Sequence, residues 1–211
     1  VPARGDYLRD PEAIYRASFA AIRREAPIER LPRDMQALAT RLVHACAMPD
    51  IVEELAWTPE AIGSARRALA AGAPVLVDSV MVAAGIRRDR LPADNLIRCT
   101  LREPGVAGRA AAGSTTRSAA AVELWRDCLR GAVVAIGNAP TALFRLLELL
   151  DEGAPLPAVV LAFPVGFIGA AEAKEALIGR EPAVPHIALR GRRGGSALAA
   201  AAVNALAVEA Q

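Results

Sequence analysis

The apolar positions change rhythm near residue 73. Before it they recur every three or four residues, the spacing of one helix face. RDPEAIYRASFAAIRREA (9–26) predicts a helix, with Asp10 as N-cap and Pro11 at the first helical position. LPRDMQALATRLVHACA (31–47) predicts a second. WTPEAIGSARRALAAG (57–72) predicts a third, repeating the cap-then-proline device with Thr58 and Pro59 and stopping at Gly72. Beyond residue 73, short apolar runs rich in β-branched residues alternate with helical ones. APVLVDS (73–79), NLIRCTL (95–101), AVVAIG (132–137), PAVVLAFP (157–164) and PHIALRG (185–191) predict buried strands. Between and after them, SVMVAAGI (79–86) predicts a short helix or turn. STTRSAAAVELWRDCLRG (114–131), APTALFRLLELLDEG (139–153), AAEAKEALIG (170–179) and GGSALAAAAVNALAVEAQ (194–211) predict helices.

Strands separated by helices need crossover connections, hence a largely parallel sheet. The expected fold is therefore α/β: one domain over residues 1–211, three-layer α/β/α, Rossmann-like, with a mainly parallel sheet. Ligands in such folds bind beyond the carboxyl ends of the strands, where helix N-termini also point.

Composition narrows the chemistry. Hydrophobic residues make up 54% of the chain and aromatic ones 4%, so small aliphatic side chains must build the core. Nearly all the basic residues are arginine; Lys174 is the single lysine. A formal net charge of +2 leaves no basic excess for a dedicated nucleic-acid binder. Cys46, Cys99 and Cys128 are odd in number and far apart, which fits reduced thiols rather than a disulfide framework or a zinc site. PAVVLAFPVGFIGAA (157–171) is too short and too broken by proline and glycine to span a membrane. The first residues lack the apolar middle of a signal peptide. A cytoplasmic protein without a membrane partner is expected.

Four strand-to-helix junctions suit anions. In VAIGNAPTAL, Gly137 permits close backbone approach, and Asn138 can cap the helix or meet a ligand. FPVGF is a second such turn, around Gly166. LRGRRGGS sets Arg192 and Arg193 among Gly191, Gly194 and Gly195 before a helix, offering backbone N–H groups and guanidiniums together. STTRSAA places Arg117 in the first turn of a helix, unfavourable against the helix dipole unless an acid compensates. None of these matches a dinucleotide fingerprint or a P-loop. His44, in RLVHACAMPD, is one of two histidines; the other is His186. On pattern alone His44 is a core residue, a metal ligand or a proton donor, with the first favoured.

Taken in order, YLRDPEAIYRASFAAIRREA, RLVHACAMPD, TTRSAAAVELW, VAIGNAPTALFRLLELL, FPVGFIGAAEAKEAL and GRRGGSALAAAAVNAL resemble the precorrin-8X methylmutase family over nearly the whole chain. IGNAPTAL and PVGFIGAAEAKEAL are the most specific parts. The resemblance implies an isomerase of cobalamin biosynthesis that moves a methyl group from C-11 to C-12 of precorrin-8X, giving hydrobyrinic acid. It implies no cofactor, no metal, and a homodimer with active sites near the subunit interface. A variant of the same reaction acts on the cobalt-containing precorrin, and a non-catalytic carrier of an acidic tetrapyrrole is the rival from another class.

Site residues carry over by motif. His44 matches the family's histidine, implied as proton donor near ring C. Ser18 and Arg117 match pocket positions, and Tyr15, one turn before Ser18, shares its helix face. Asn138 and Thr141 are implied to face ring substituents. Arg192, Gly194, Gly195 and Ser196 are implied at the substrate mouth or the dimer contact. Three positions depart from the family pattern: Ala47, where glycine is common, Pro49, and Arg87, where a small hydroxyl residue is expected.

Overall fold

The computed structural model describes residues 7–208. The tail of the last predicted helix, 209–211, lies outside them. Helices α1 (Pro11–Glu25) and α2 (Arg33–Cys46) open the chain. Asp10 accepts the Ala13 amide at 2.7 Å, so the predicted cap forms. A short strand β1 (Leu55–Trp57) follows, which the sequence pattern does not predict. Helix α3 (Ala61–Ala70), strand β2 (Val75–Val77), α4 (Val80–Gly85) and β3 (Ile97–Arg98) come next. Helices α5 (Val106–Ala112) and α6 (Arg117–Val122) precede β4 (Val133–Ile136) and α7 (Pro140–Asp151). The chain then runs through β5 (Val159–Ala162), α8 (Ala170–Ile178), β6 (His186–Leu189) and α9 (Ser196–Leu206).

The six strands form one sheet in the order β1-β6-β5-β4-β2-β3. All pairs are parallel except β1 with β6. Successive strand residues point to opposite faces, and both faces are covered. Val133, Ala135, Val159 and Leu161 join the core under α2, α3, α4 and α9. Val134, Ile136, Val160 and Ala162 join the core under α7 and α8. That is why these strands read as unbroken apolar runs. The chain winds from β2 outward to β3, then returns past β2 to β4 and on to β6. Direction therefore reverses between β2 and β4, the topological switch point of the sheet.

Two local expectations are corrected, one helix is unforeseen, and one of two alternatives for Asn138 falls away. Thr58 does not cap α3; its backbone and hydroxyl bond to His186, extending the β1–β6 pairing, while the α3 start lies at Glu60. The helix expected over 114–131 is α-helical only to Val122 and tightens to a 3-10 helix over Glu123–Cys128. Helix α5 is unforeseen, since GVAGRAAA has no apolar stripe. Asn138 does not cap α7; Ala139 holds that position without a side-chain bond. The stop expected at Gly72 stands, with φ +77° after α3, and Thr116 accepts the Ala119 amide at 3.1 Å to start α6.

Candidate active site

Helix α1 crosses α2 close to the end of α2. There Tyr15, Phe19 and His44 form one cluster: centroids lie 4.3 Å apart for Tyr15–Phe19, 5.5 Å for Tyr15–His44 and 5.4 Å for Phe19–His44. Arg41, one turn before His44, donates to the Tyr15 hydroxyl at 2.7 Å, fixing that ring. Ser18 and His44 line a cavity of about 310 Å³ with Ile22, Val43, Ala47 and Pro49. His44 is exposed, and its ring nitrogens have no hydrogen-bond partner among the described residues. They are available to a ligand. His186 is the opposite case. It is buried in β6, its Nδ1 lies 2.8 Å from the Val184 carbonyl, and burial pushes its pKa below the usual imidazole value. The core histidine of this chain is thus His186, and not His44 as position in the helix alone suggests.

Helix α2 stops at Ala47, which takes the left-handed conformation, φ 56° and ψ 31°. A glycine adopts that conformation without strain, which fits the glycine expected there from the resemblance. Pro49 starts the next 3-10 turn at its first position, where its missing N–H costs nothing. Arg87 pairs with Asp89 at 2.6 Å in an exposed loop, and its amide donates to Asn204.

The carboxyl ends of the strands carry the other candidates. Asp50, just beyond Pro49, pairs with Arg193 at 2.5 Å, tying the His44 region to the loop after β6. That loop is laced to the one after β5. Gly195 donates to the Phe163 carbonyl at 2.8 Å and Gly166 to the Arg192 carbonyl at 3.1 Å. Lys174, fully buried, donates to the carbonyls of Pro164 at 3.2 Å and Arg193 at 2.8 Å. Burial lowers its pKa to about 8. A Cβ on Gly194 would sit 2.5 Å from the Pro164 oxygen, so only glycine fits between the loops. Arg192 stacks on Phe167 with its guanidinium carbon 5.6 Å from the ring, and Phe167 and Ile168 are largely exposed.

At the switch point, Asp78 directly follows β2 and is buried. One carboxylate oxygen accepts the Gly137 amide at 2.9 Å. The other accepts those of Asn138 at 2.9 Å and Ala139 at 2.7 Å. Burial pushes the Asp78 pKa up against the lowering effect of these donors. Ser79, next along, caps α4 and lies 3.2 Å from the Ser196 hydroxyl at the start of α9. Gly137 is boxed in by α9 and α4: a Cβ there would lie 2.7 Å from Ala199 and 2.8 Å from Val82. Thr116 and Thr141 share a 2.7 Å hydroxyl contact, which places Arg117 beside the start of α7. Asn138 keeps its side-chain amide unbonded among the described residues.

The predicted residues thus fall into three groups. Tyr15, Ser18 and His44 meet around the aromatic cluster. Arg192, Gly194, Gly195 and Ser196 form the loop after β6. Arg117, Asn138 and Thr141 gather beyond β4. The cavity that holds Ser18 and His44 is not lined by Arg117, Asn138 or Thr141. Sequence reasoning passed over Asp78, Lys174, Phe19 and Arg41. The one legible signal was a lone acid closing the apolar run VLVD. Among the described residues no group of three or more His, Cys, Asp or Glu side chains converges as a metal site, and no helix is long and apolar enough to cross a membrane.

A doubly wound sheet, a histidine unpartnered among the described residues beside a cavity, and arginines with helix starts at the strand ends define an α/β protein whose candidate site suits an acidic small molecule. The chain belongs to the precorrin-8X methylmutase family, whose model matches residues 13–209. It is 58% identical over 204 residues to "Precorrin-8X methylmutase" of Pseudomonas aeruginosa, covering 97% of this chain and 98% of that one. It is 40% identical over 170 residues to "Cobalt-precorrin-8 methylmutase" of Methanothermobacter thermautotrophicus, covering 81% and 78%. The solved precorrin-8x methyl mutase from Thermus thermophilus superposes with TM-score 0.83 at 36% identity, covering 92% of this chain and 96% of that one.

Proposed function

We propose that this chain is an isomerase that converts precorrin-8X to hydrobyrinic acid by moving the C-11 methyl group to C-12. The observation that carries the mechanism is His44: an exposed imidazole, unbonded among the described residues, held by two aromatic rings over a cavity it shares with Ser18. In the rearrangement the bond from the methyl carbon to C-11 breaks as the bond to C-12 forms within one molecule. No external nucleophile or electron donor takes part. His44 supplies a proton that favours the reactive form of the macrocycle, a task suited to imidazole near neutral pH. Tyr15 and Ser18 pack beside the reacting region. Arg117, Asn138, Thr141, Arg192, Gly194 and Ser196 meet the carboxylate arms through guanidinium, amide and hydroxyl donors, and Gly195, its amide held by the Phe163 carbonyl, shapes the loop beside them. Two copies of the chain would close the site between them, in the cytoplasm.

His44→Ala tests this reading. The wild type is expected to turn over precorrin-8X, followed by visible absorption. The variant should lose on the order of 10²–10⁴-fold in turnover while still binding hydrobyrinic acid. A carrier would show no turnover in either form, and undiminished turnover in the variant would remove His44 from the mechanism. A second reading, action on the cobalt-loaded substrate, has support from the relatives that bear that name. The 58% identical relative bears the other, which favours precorrin-8X. Parallel assays with both substrates separate them.

A further inference from the structure

A second depression, of about 850 Å³, opens on the far side of the Tyr15–Phe19 pair. Arg23 from α1, Arg41 from α2, Arg66 from α3 and Arg90 from the loop before β3 all line it, with Thr40 and Tyr15 between them. Among the described residues no carboxylate lines it. Asp89 pairs with Arg87, Glu12 with Arg16 and Glu25 with Arg24, and Asp34, Glu60 and Asp94 do not line the hollow. Arg23, Arg66 and Arg90 form no ion pair among the described residues. The Nε of Arg66 is buried and has no hydrogen-bond partner among the described residues. A buried guanidinium N–H without an acceptor is costly, and four like charges brought to one hollow repel one another. Both costs vanish if an anion with several oxygens enters, because guanidinium forks match carboxylates two bonds at a time. Only Arg41 has a fixed task already, its bond to the Tyr15 hydroxyl.

We infer that this arginine-walled depression is a carboxylate-binding site, separated from the His44 cavity by Tyr15 and Phe19. Its occupant is either carboxylate arms of the macrocycle that reacts at His44 or a separate small polycarboxylate. The first source rests on the methylmutase reading; the chemistry of the hollow does not.

Calorimetric titration in 0.15 M salt tests the site, with hydrobyrinic acid and citrate as probes. The proteins compared are wild type, Arg66→Met and Arg90→Gln. Arg130→Gln serves as control, removing an exposed arginine just before β4. Loss of one charge-assisted contact should weaken binding about 10-fold. The control should change it by less than about 2-fold, the scale of a remote screened charge. Weaker hydrobyrinic acid binding in both variants identifies the arms of the macrocycle. Weaker citrate binding alone, with no displacement of hydrobyrinic acid by citrate, identifies a separate acid at the same arginines. Wild-type affinity for both probes in both variants overturns the site. Arg90, in a surface loop, keeps the test decisive if Arg66→Met fails to fold. Failure of the methylmutase reading is distinct: the wild type itself would then not turn over precorrin-8X.

Discussion

Replacing Asp78 probes the joint on which the rim is built. Its carboxylate takes three backbone amides across the switch point, from Gly137, Asn138 and Ala139. Asp78→Ala leaves all three without an acceptor in a buried turn. Each unsatisfied donor costs about 1–3 kcal/mol. Against that stands relief from burying a carboxyl whose pKa is pushed up by desolvation. A net loss of roughly 3–5 kcal/mol is expected, the scale of breaking a buried charged cluster. With a urea slope of about 2 kcal/mol/M, this moves the unfolding midpoint by roughly 2 M. Asp78→Asn keeps one oxygen for Asn138 and Ala139 but turns its amide toward Gly137. It should lose about 1–3 kcal/mol. The pH dependence carries a sign as well. Because the folded pKa is raised, protonated Asp78 favours the fold. Its contribution is full below the ordinary value of 3.8 and is lost as pH rises through the raised value. The advantage of wild type over Asp78→Asn should therefore be larger in acid than at neutrality. Urea titrations followed by circular dichroism at pH 4 and 7 measure both effects. If Asp78→Ala loses less than about 1 kcal/mol, water reaches the turn and the bridge does not hold the site.

Three further changes have definite expected outcomes. Ala47→Gly relieves the left-handed backbone at the end of α2. It should raise stability by about 0.5–1 kcal/mol in urea unfolding, the strain released less the added chain entropy of glycine; a lower midpoint would contradict it. Lys174 has its pKa lowered to about 8 from 10.5, so the neutral amine favours the fold. The stability of wild type relative to Lys174→Met should rise with pH across that window by roughly 3 kcal/mol, at 1.36 kcal/mol per pH unit, and a gap flat between pH 7.5 and 9.5 would refute this. Gly194→Ala forces a methyl group against the Pro164 carbonyl. It should destabilise by about 1–3 kcal/mol and weaken hydrobyrinic acid binding; an unchanged thermal midpoint would mean the two loops are not locked together.

Much of the architecture was legible because its causes are local or periodic. Apolar runs such as VVAIG and VVLAF can only be strands covered on both faces, and the helices between them force parallel order. Asp10 and Gly72 act through neighbours within four residues, so their roles survive from pattern to structure. Strand β1 escaped because three residues, LAW, carry no alternation; pairing with β6 makes them a strand. Thr58 was misread for the same reason, its cap-like sequence being claimed by His186 from 128 residues away.

The site divides along the same line. The ordered motifs singled out His44 and Ser18, helical spacing added Tyr15, and the local pattern at the strand ends gave the anion-friendly loops. Sequence could not tell which histidine is buried, because burial depends on what packs above a residue; β6 encloses His186, while α2 ends at the surface and leaves His44 free. Nor could it show that Asp78 meets the 137–139 turn, that Lys174 underlies two loops, or that four arginines from three helices and a loop converge on one hollow. Hydrogen bonds and charge clusters form between residues near in space, and spacing along the chain records only those that are also near in sequence. Helices, strands and their order were thus written in the local pattern; the charges that meet, and the imidazole left without a partner, were decided by how the layers pack.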